Sequence, residues 1–185
     1  MMRSALLPLP WFGRRTAAQS NDARLRRMVA DHFDFAWRSL VRLGVRSADA
    51  DDAAQQVFLV ANERLADIAD GNERAFLFGT CLKVAARHRR TVERRRESAE
   101  PVPLALPDPS PTADELCDRS KARALLDRVL DQLPLDQRAV FILYELEQQT
   151  MAEIAVTLGV PPGTVASRLR RARELFAAAV QEIPR

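Results

Sequence analysis

Glycine and tyrosine are scarce in this chain of 185 residues, with six of the first and one of the second. Sandwiches and barrels use β-branched and aromatic strands joined by tight, glycine-rich turns, and this usage starves both. Ala, Leu, Arg, Asp and Glu dominate instead, a usage that favours helices. The expected fold class is all-α.

Cysteine and histidine are nearly missing. Cys81, Cys117, His32 and His88 cannot form a zinc site of the usual paired-cysteine spacing, and two cysteines do not make the disulfide scaffold of a secreted domain. A reducing cytoplasm is expected, with no metal and no cofactor. Cys81 reads as a small core hydrophobe and Cys117 as incidental. Long apolar runs are lacking too. The opening MMRSALLPLPWFGRRTAAQ has a short one, but two prolines break it and Arg14 and Arg15 follow, so neither a signal core nor membrane insertion is expected. Residues 1–20 read as a flexible extension.

A net charge of one sign is also nearly absent: 28 Lys+Arg against 25 Asp+Glu leave +3. Hydrophobic residues make up 47%, enough for real cores, which excludes a wholly disordered chain. Proline is the one residue concentrated in a single place. From Glu100 to Pro111, EPVPLALPDPSP holds five prolines in twelve residues and cannot continue a helix. Residues 98–117 are therefore a linker between two small helical domains, 21–97 and 118–185, and such semi-rigid linkers hold their domains apart.

In the first domain, Leu25, Val29, Phe33, Ala36, Trp37 and Leu40 recur at helical spacing up to Gly44. A second helix starts after Ser47, with Asp49, Asp51 and Asp52 at its positive end. A third runs from about Arg74 to Arg95, after the turn-prone Asp70-Gly71-Asn72. The second domain should hold one helix over about 114–132, another over about 135–148, and two short ones.

Those last two carry the most specific punctuation. Thr150-Met151-Ala152-Glu153 has the form of a capping box. Ile154, Ala155 and Leu158 give that helix one buried side, Gly159 stops it, and Val160-Pro161-Pro162 starts the next. A short helix, a tight glycine turn and a second helix make a helix-turn-helix. On the second helix Val165, Leu169, Ala172 and Phe176 form the buried stripe. Gly163, Ala166, Ser167, Arg170, Arg171 and Glu174 lie opposite, flanked by Thr164 and Arg168. From Pro161 to Arg173 there are four arginines and no acid, so the outer face is positive and short-chained at its start, as a helix entering a major groove must be. An ordinary helical hairpin with a solvated face is the bland alternative.

Two further faces want a partner. Lys83, Arg87, Arg90 and Arg94 form a basic stripe away from the apolar Leu77, Thr80, Cys81 and Val84. From Lys83 to Arg96 seven cations face one acid, a local +6 suited to phosphates or to simple solvation of a helix end. His88 adjoins these arginines and reads as a surface residue or phosphate neighbour. The preceding helix is opposite in sign: from Asp49 to Glu73 seven acids face one arginine, a local −6. It buries Ala54, Val57, Phe58, Ala61 and Leu65, yet Leu59 falls among Asp52, Gln55, Gln56 and Glu63. A Leu ringed by amides and carboxylates has the anatomy of a protein-docking face. No nucleophile–base pair, phosphate-cradling glycine loop or ligand cluster occurs, and no enzyme chemistry is expected.

Taken together, DADDAAQQVFLVANERL, AFLFGTCLKVAARHRR, the linker, and LDQLPLDQRAVFILYELEQQTMAEIAVTLGVPPGTVASRLRRARELF resemble a bacterial RNA polymerase sigma factor of the extracytoplasmic-function (ECF) group. The resemblance covers about residues 25–180. It rests most on the order LP, QR, FxLxxxE, EIAxxLGV, GTVxSRLxRAR. It implies two domains like sigma regions 2 and 4 and a protein that directs core polymerase to promoters without catalysing anything. Asp52, Gln55, Gln56 and Leu59 would dock on the clamp coiled coil of the β′ subunit. The loop 67–73 and the helix from Phe76 would open the −10 element and hold an extruded base, with Lys83, Arg87, Arg90 and Arg94 on backbone phosphates. The last helix would read the −35 element through Thr164, Ser167, Arg168, Arg170 and Arg171, and the part before it would meet the β flap. An anti-sigma factor is a further implied partner; a small-molecule substrate is not.

The chain departs from the family at Gln56 (commonly Glu), Phe76 (Trp), Lys83 (Asn), Arg87 (Asp) and Ala166 (Lys). One charge leaves the docking face, the −10 helix becomes more cationic and the −35 helix loses a long donor. A stand-alone helix-turn-helix regulator is one alternative, which leaves the Leu59 face unexplained. A protein-interaction adaptor with a vestigial DNA face is another.

Overall fold

The structure, a computed structural model, describes residues 12–98 and 114–183, with side chains over 21–94 and 121–183. Seven α-helices and no strands occur among the described residues, as the composition implies. Helix α1 spans Phe12–Arg42, so it starts inside the segment expected to be an extension; residues 1–11 lie outside the described part. Its core face holds Met28, Phe35, Ala36 and Leu40. Phe33, expected in that stripe, is 37% exposed and stacks on Phe58 with ring centroids 6.2 Å apart. Because α1 packs on both of the next two helices, its buried arc is wider than one stripe and turns toward Phe35.

Gly44 ends α1 at φ +96°, a conformation costly for residues with a Cβ. Val45 N–H reaches back to Leu40 O at 3.0 Å and Gly44 N–H to Val41 O at 2.9 Å, the paired bonds of a Schellman cap. Helix α2, Ser47–Glu63, buries Ala50, Ala53, Ala54, Val57, Phe58 and Ala61. A 3-10 turn over Leu65–Asp67 follows, and helix α3, Glu73–Ser98, completes the first half with Leu77, Phe78, Thr80, Cys81 and Ala85 buried. Burial pushes the Cys81 thiol up to about 12, which keeps it protonated and inert.

In the second half α4 spans Asp114–Asp131 and α5 Leu135–Phe141. The single helix expected over 135–148 instead widens into a π turn at Ile142–Leu146. Ile142 and Leu143 are both fully buried there, and Gln148 then takes φ +56°. Helix α6, Met151–Leu158, stops at Gly159 in the left-handed region, and α7, Pro162–Gln181, begins with proline in its first turn.

The capping box forms. Glu153 N–H donates to Thr150 Oγ1 at 3.3 Å, and Thr150 N–H to Glu153 Oε2 at 2.8 Å. The bonds from the Thr150 backbone and then its side chain hold the Glu153 carboxyl below its ordinary 4.5. A depressed carboxylate stabilises the fold above its unfolded pKa, and that contribution fades as pH falls through the folded value. Thr150→Ala is expected to cost about 1 kcal/mol in a denaturant melt at pH 7. The Thr150→Ala penalty should shrink as pH is lowered below about 4.5.

The two halves do not stand apart. One hydrophobic cluster runs from Met28 to Ala172, α6 rests on α3, and α4 rests on α1. Arg42 and Arg74 of the first half both pair with Glu147 of the second. The expectation of separated domains rests on the linker's composition, which does not stop the flanking faces from closing on each other; residues 99–113 themselves lie outside the described part.

Candidate nucleic-acid and docking surfaces

Helix α7 buries Val165, Leu169 and Ala172, and Phe176 stacks on Phe141 at 4.7 Å between centroids. This seats the helix with Gly163, Ala166, Ser167, Arg170 and Arg171 exposed and Thr164 half-buried at its start. Ser167 Oγ donates to Thr164 O at 3.0 Å. Arg170 and Arg171 each reach Glu174 at 3.1 Å. Such exposed pairs are worth little in water, so a phosphate or base edge can displace Glu174. Arg168 is placed differently: half-buried, it pairs through Nε with Asp136 of α5 at 3.1 Å, tying α7 to the helix beneath it.

On α3, Lys83, Arg87, Arg90 and Arg94 are all exposed. Among the described residues no carboxylate pairs with Lys83, Arg87 or Arg90, while the neighbouring Arg89 is held by Glu93 at 2.9 Å. His88 does not join this face. It is half-buried, with Nε2 at 3.2 Å from Asp49 Oδ2, and links α3 to α2.

The acidic helix spends some of its charge internally. Asp49 also takes Arg46 at 2.8 Å, and Asp51 accepts from the Trp37 indole at 2.9 Å. Asp52, Gln55, Gln56 and Leu59 remain exposed on one face, Leu59 at 56%.

The connector between α2 and α3 is anchored by buried Leu65 and Ile68 and by a residue that periodicity did not flag. Arg24 donates to the carbonyls of Leu65 and Ile68 and pairs with Asp70 at 3.0 Å and Glu73 at 3.6 Å. Beside it lies a groove of about 500 Å³ lined by Arg24, Arg27, His32, Asp70 and Glu73. The only advance signal was an arginine on the polar side of α1, which is too common to point to a role. Among the described residues no group of three or more His, Cys, Asp or Glu is placed to hold a metal. None of the described helices is long and apolar enough to cross a membrane.

A helix-turn-helix whose second helix shows a positive, short-chained face defines a DNA-binding module. Residues 123–176 match the family described as Sigma-70, region 4. The chain is 30% identical over 169 residues to the ECF RNA polymerase sigma factor SigL of Mycobacterium tuberculosis, a match covering 90% of this chain and 94% of that one. It is also 30% identical over 152 residues to SigE of Mycolicibacterium smegmatis, covering 80% of this chain but only 58% of the relative's length. With the sigma-E factor of Streptomyces avermitilis it shares 35% identity over 140 residues, 75% of each chain. The chain belongs to the ECF RNA polymerase sigma factors, non-enzymatic proteins that direct transcription initiation. Its fold is that of CnrH, solved with the cytosolic domain of CnrY (TM-score 0.66, 23% identity, 92% of this chain and 96% of that one). It is likewise that of RpoE from Bartonella quintana, solved with the anti-sigma factor NepR (TM-score 0.62, 19% identity, 86% and 98%).

Proposed function

We propose that this sigma factor acts in the cytoplasm, binds core RNA polymerase through α2, opens the −10 element with α3 and the connector before it, and reads the −35 element with α7. The observation that carries this reading is the segregation of charge onto three exposed faces: Asp52, Gln55, Gln56 and Leu59 on one helix, Lys83, Arg87, Arg90 and Arg94 on the next, and Thr164, Ser167, Arg170 and Arg171 on the last. The acidic helix is unsuited to DNA, and an exposed Leu59 ringed by amides and a carboxylate suits a protein partner, here the β′ clamp coiled coil. The two basic faces suit phosphates and release counterions on binding. Arg168, tied to Asp136, orients the reading helix. The segment of α5 and its π turn meets the β flap. The chain itself catalyses nothing; its contribution is binding energy spent on recruitment and on unstacking a base, which costs a few kcal/mol.

The closed arrangement cannot engage both elements at once. A compact body of this length is about 40 Å across, whereas positions −35 and −10 lie about 85 Å apart along B-DNA at about 3.4 Å per base pair. The halves must therefore part on the polymerase. A proline-rich chain of the length of 99–113 reaches about 45 Å at ~3.1 Å per residue, and engagement by two tethered modules lets each be weak alone. The solved complex of RpoE with the anti-sigma factor NepR supports an anti-sigma partner for this chain as well.

Run-off transcription with purified core enzyme tests the reading: specific initiation is expected, and none from any promoter library would leave a regulator or adaptor in its place. Within that assay Arg171→Ala should lose ~1–3 kcal/mol and relax preference at one −35 position, whereas Arg90→Ala should weaken all promoters about equally. The same loss from both on every sequence would remove base reading by Arg171.

A further inference from the structure

Glu147 follows the π turn of the second half, and its side chain is only 10% exposed. Its two carboxylate oxygens are taken by two arginines of the first half: Arg42 Nη1 at 2.9 Å from Oε1, and Arg74 Nη2 at 2.6 Å from Oε2. The Arg74 guanidinium also lies over the Phe35 ring, 4.4 Å from its centroid. That ring belongs to α1 and orients Arg74 whether or not Glu147 is present. Arg74 stands in the first turn of α3, where the helix dipole is positive, and directly follows the 67–73 loop. The acids that face Arg42 are Glu147 and Asp127, and both belong to the second half. When the halves part, these acids leave together, and two guanidiniums, that of Arg74 still held over the Phe35 ring, are left beside the connector.

Paired guanidiniums bind oxyanions, and phosphate suits them as well as carboxylate does. We propose that Arg42 and Arg74 form a binding site for a DNA backbone phosphate of the strand that passes the −10 connector. Glu147 occupies that site in the closed protein as a carboxylate in a phosphate's place. The inference rests on the sigma-factor reading, since it needs the halves to separate and the strand to run past the start of α3. It adds a site outside the α3 stripe and gives the domain contact a role: the closed chain masks its own DNA site, and nucleic acid competes with Glu147 for the same two cations.

The test uses the full chain and a fluorescein-labelled single-stranded oligonucleotide of mixed sequence, titrated by anisotropy across a range of salt. Glu147→Gln keeps the shape and removes the charge, and it is expected to bind severalfold more tightly than the unaltered protein. Its salt slope should steepen by about 1.4, for two added phosphate contacts at ~0.7 each. Adding Arg42→Gln and Arg74→Gln should return the slope to its starting value. Glu182→Gln, an equal charge change at the exposed end of the chain, should leave the slope unchanged. The inference is overturned if Glu147→Gln leaves the slope unchanged, if the gain survives loss of both arginines, or if Glu182→Gln reproduces it. Run-off transcription by the unaltered protein separates the two levels: a chain that initiates normally while Glu147→Gln changes nothing loses the site and keeps its function as a sigma factor.

Discussion

Leu59→Asp is expected to cut capture of core RNA polymerase by more than tenfold, read by pull-down with the tagged chain, and to abolish run-off transcription at matched concentration. The magnitude is that of a hot-spot residue at the centre of an interface, whose truncation costs about 2 kcal/mol or more, and a carboxylate adds the penalty of an unpaired charge placed against a partner. The free protein should scarcely notice. Leu59 is 56% exposed on α2 while the opposite face carries Val57, Phe58 and Ala61 into the core, and exposed helical substitutions usually change stability by no more than ~0.5 kcal/mol. A thermal melt of the variant is therefore the internal control. Unchanged melting with lost capture assigns the loss to the interface; unchanged capture would take docking away from this face. Asp49 and Asp51 are poor choices for the same test, because His88, Arg46 and Trp37 already hold them.

Helix placement was legible wherever one local rule decided the matter. The Thr150 cap, the Gly159 stop and the proline in the first turn of α7 are short-range punctuation, and they appear where the spacing put them. The outward direction of Leu59 and of the Lys83 stripe was legible because helical period alone sets which face remains outside. What could not be read needed a neighbour from far along the chain. Phe33 yields to Phe35 because α1 is packed from two sides. Arg168 looked like its neighbours Arg170 and Arg171 until Asp136 from another helix met it. Arg24 carries no local signature, and Glu147, though it closes the FxLxxxE motif, gives no sign of its partners: one bonds residues more than forty positions away, the other residues up to 105 positions away. The linker's composition was silent about whether the apolar faces on either side close.

Gly44 is a backbone position that this closure constrains tightly, and Gly44→Ala is expected to cost about 2–4 kcal/mol, a fall of roughly 5–15 °C in melting temperature. Part of the cost is conformational, since φ +96° penalises any Cβ by about 1–3 kcal/mol. The rest comes from the other half of the molecule. A Cβ at Gly44 would lie 2.7 Å from Arg138 Nη1 and 3.2 Å from Asp131 Oδ1. Arg138 cannot simply swing aside, because it is 3% exposed and donates to Asp131 at 2.7 Å and to Leu133 O at 3.1 Å. Burial already lowers its pKa, with Asp131 opposing that shift, and its Nε has no hydrogen-bond partner. Removing the guanidinium should therefore be tolerated: Arg138→Met is expected within about 1 kcal/mol of neutral, since Asp131, 60% exposed, can return to water. The two changes should then couple. In the Arg138→Met background the Gly44→Ala cost should drop to its conformational part, giving an interaction energy of about 1–2 kcal/mol in a double-mutant cycle. Identical costs in both backgrounds would mean that the left-handed backbone alone requires glycine and that the close approach of the two halves at Arg138 does not matter for stability.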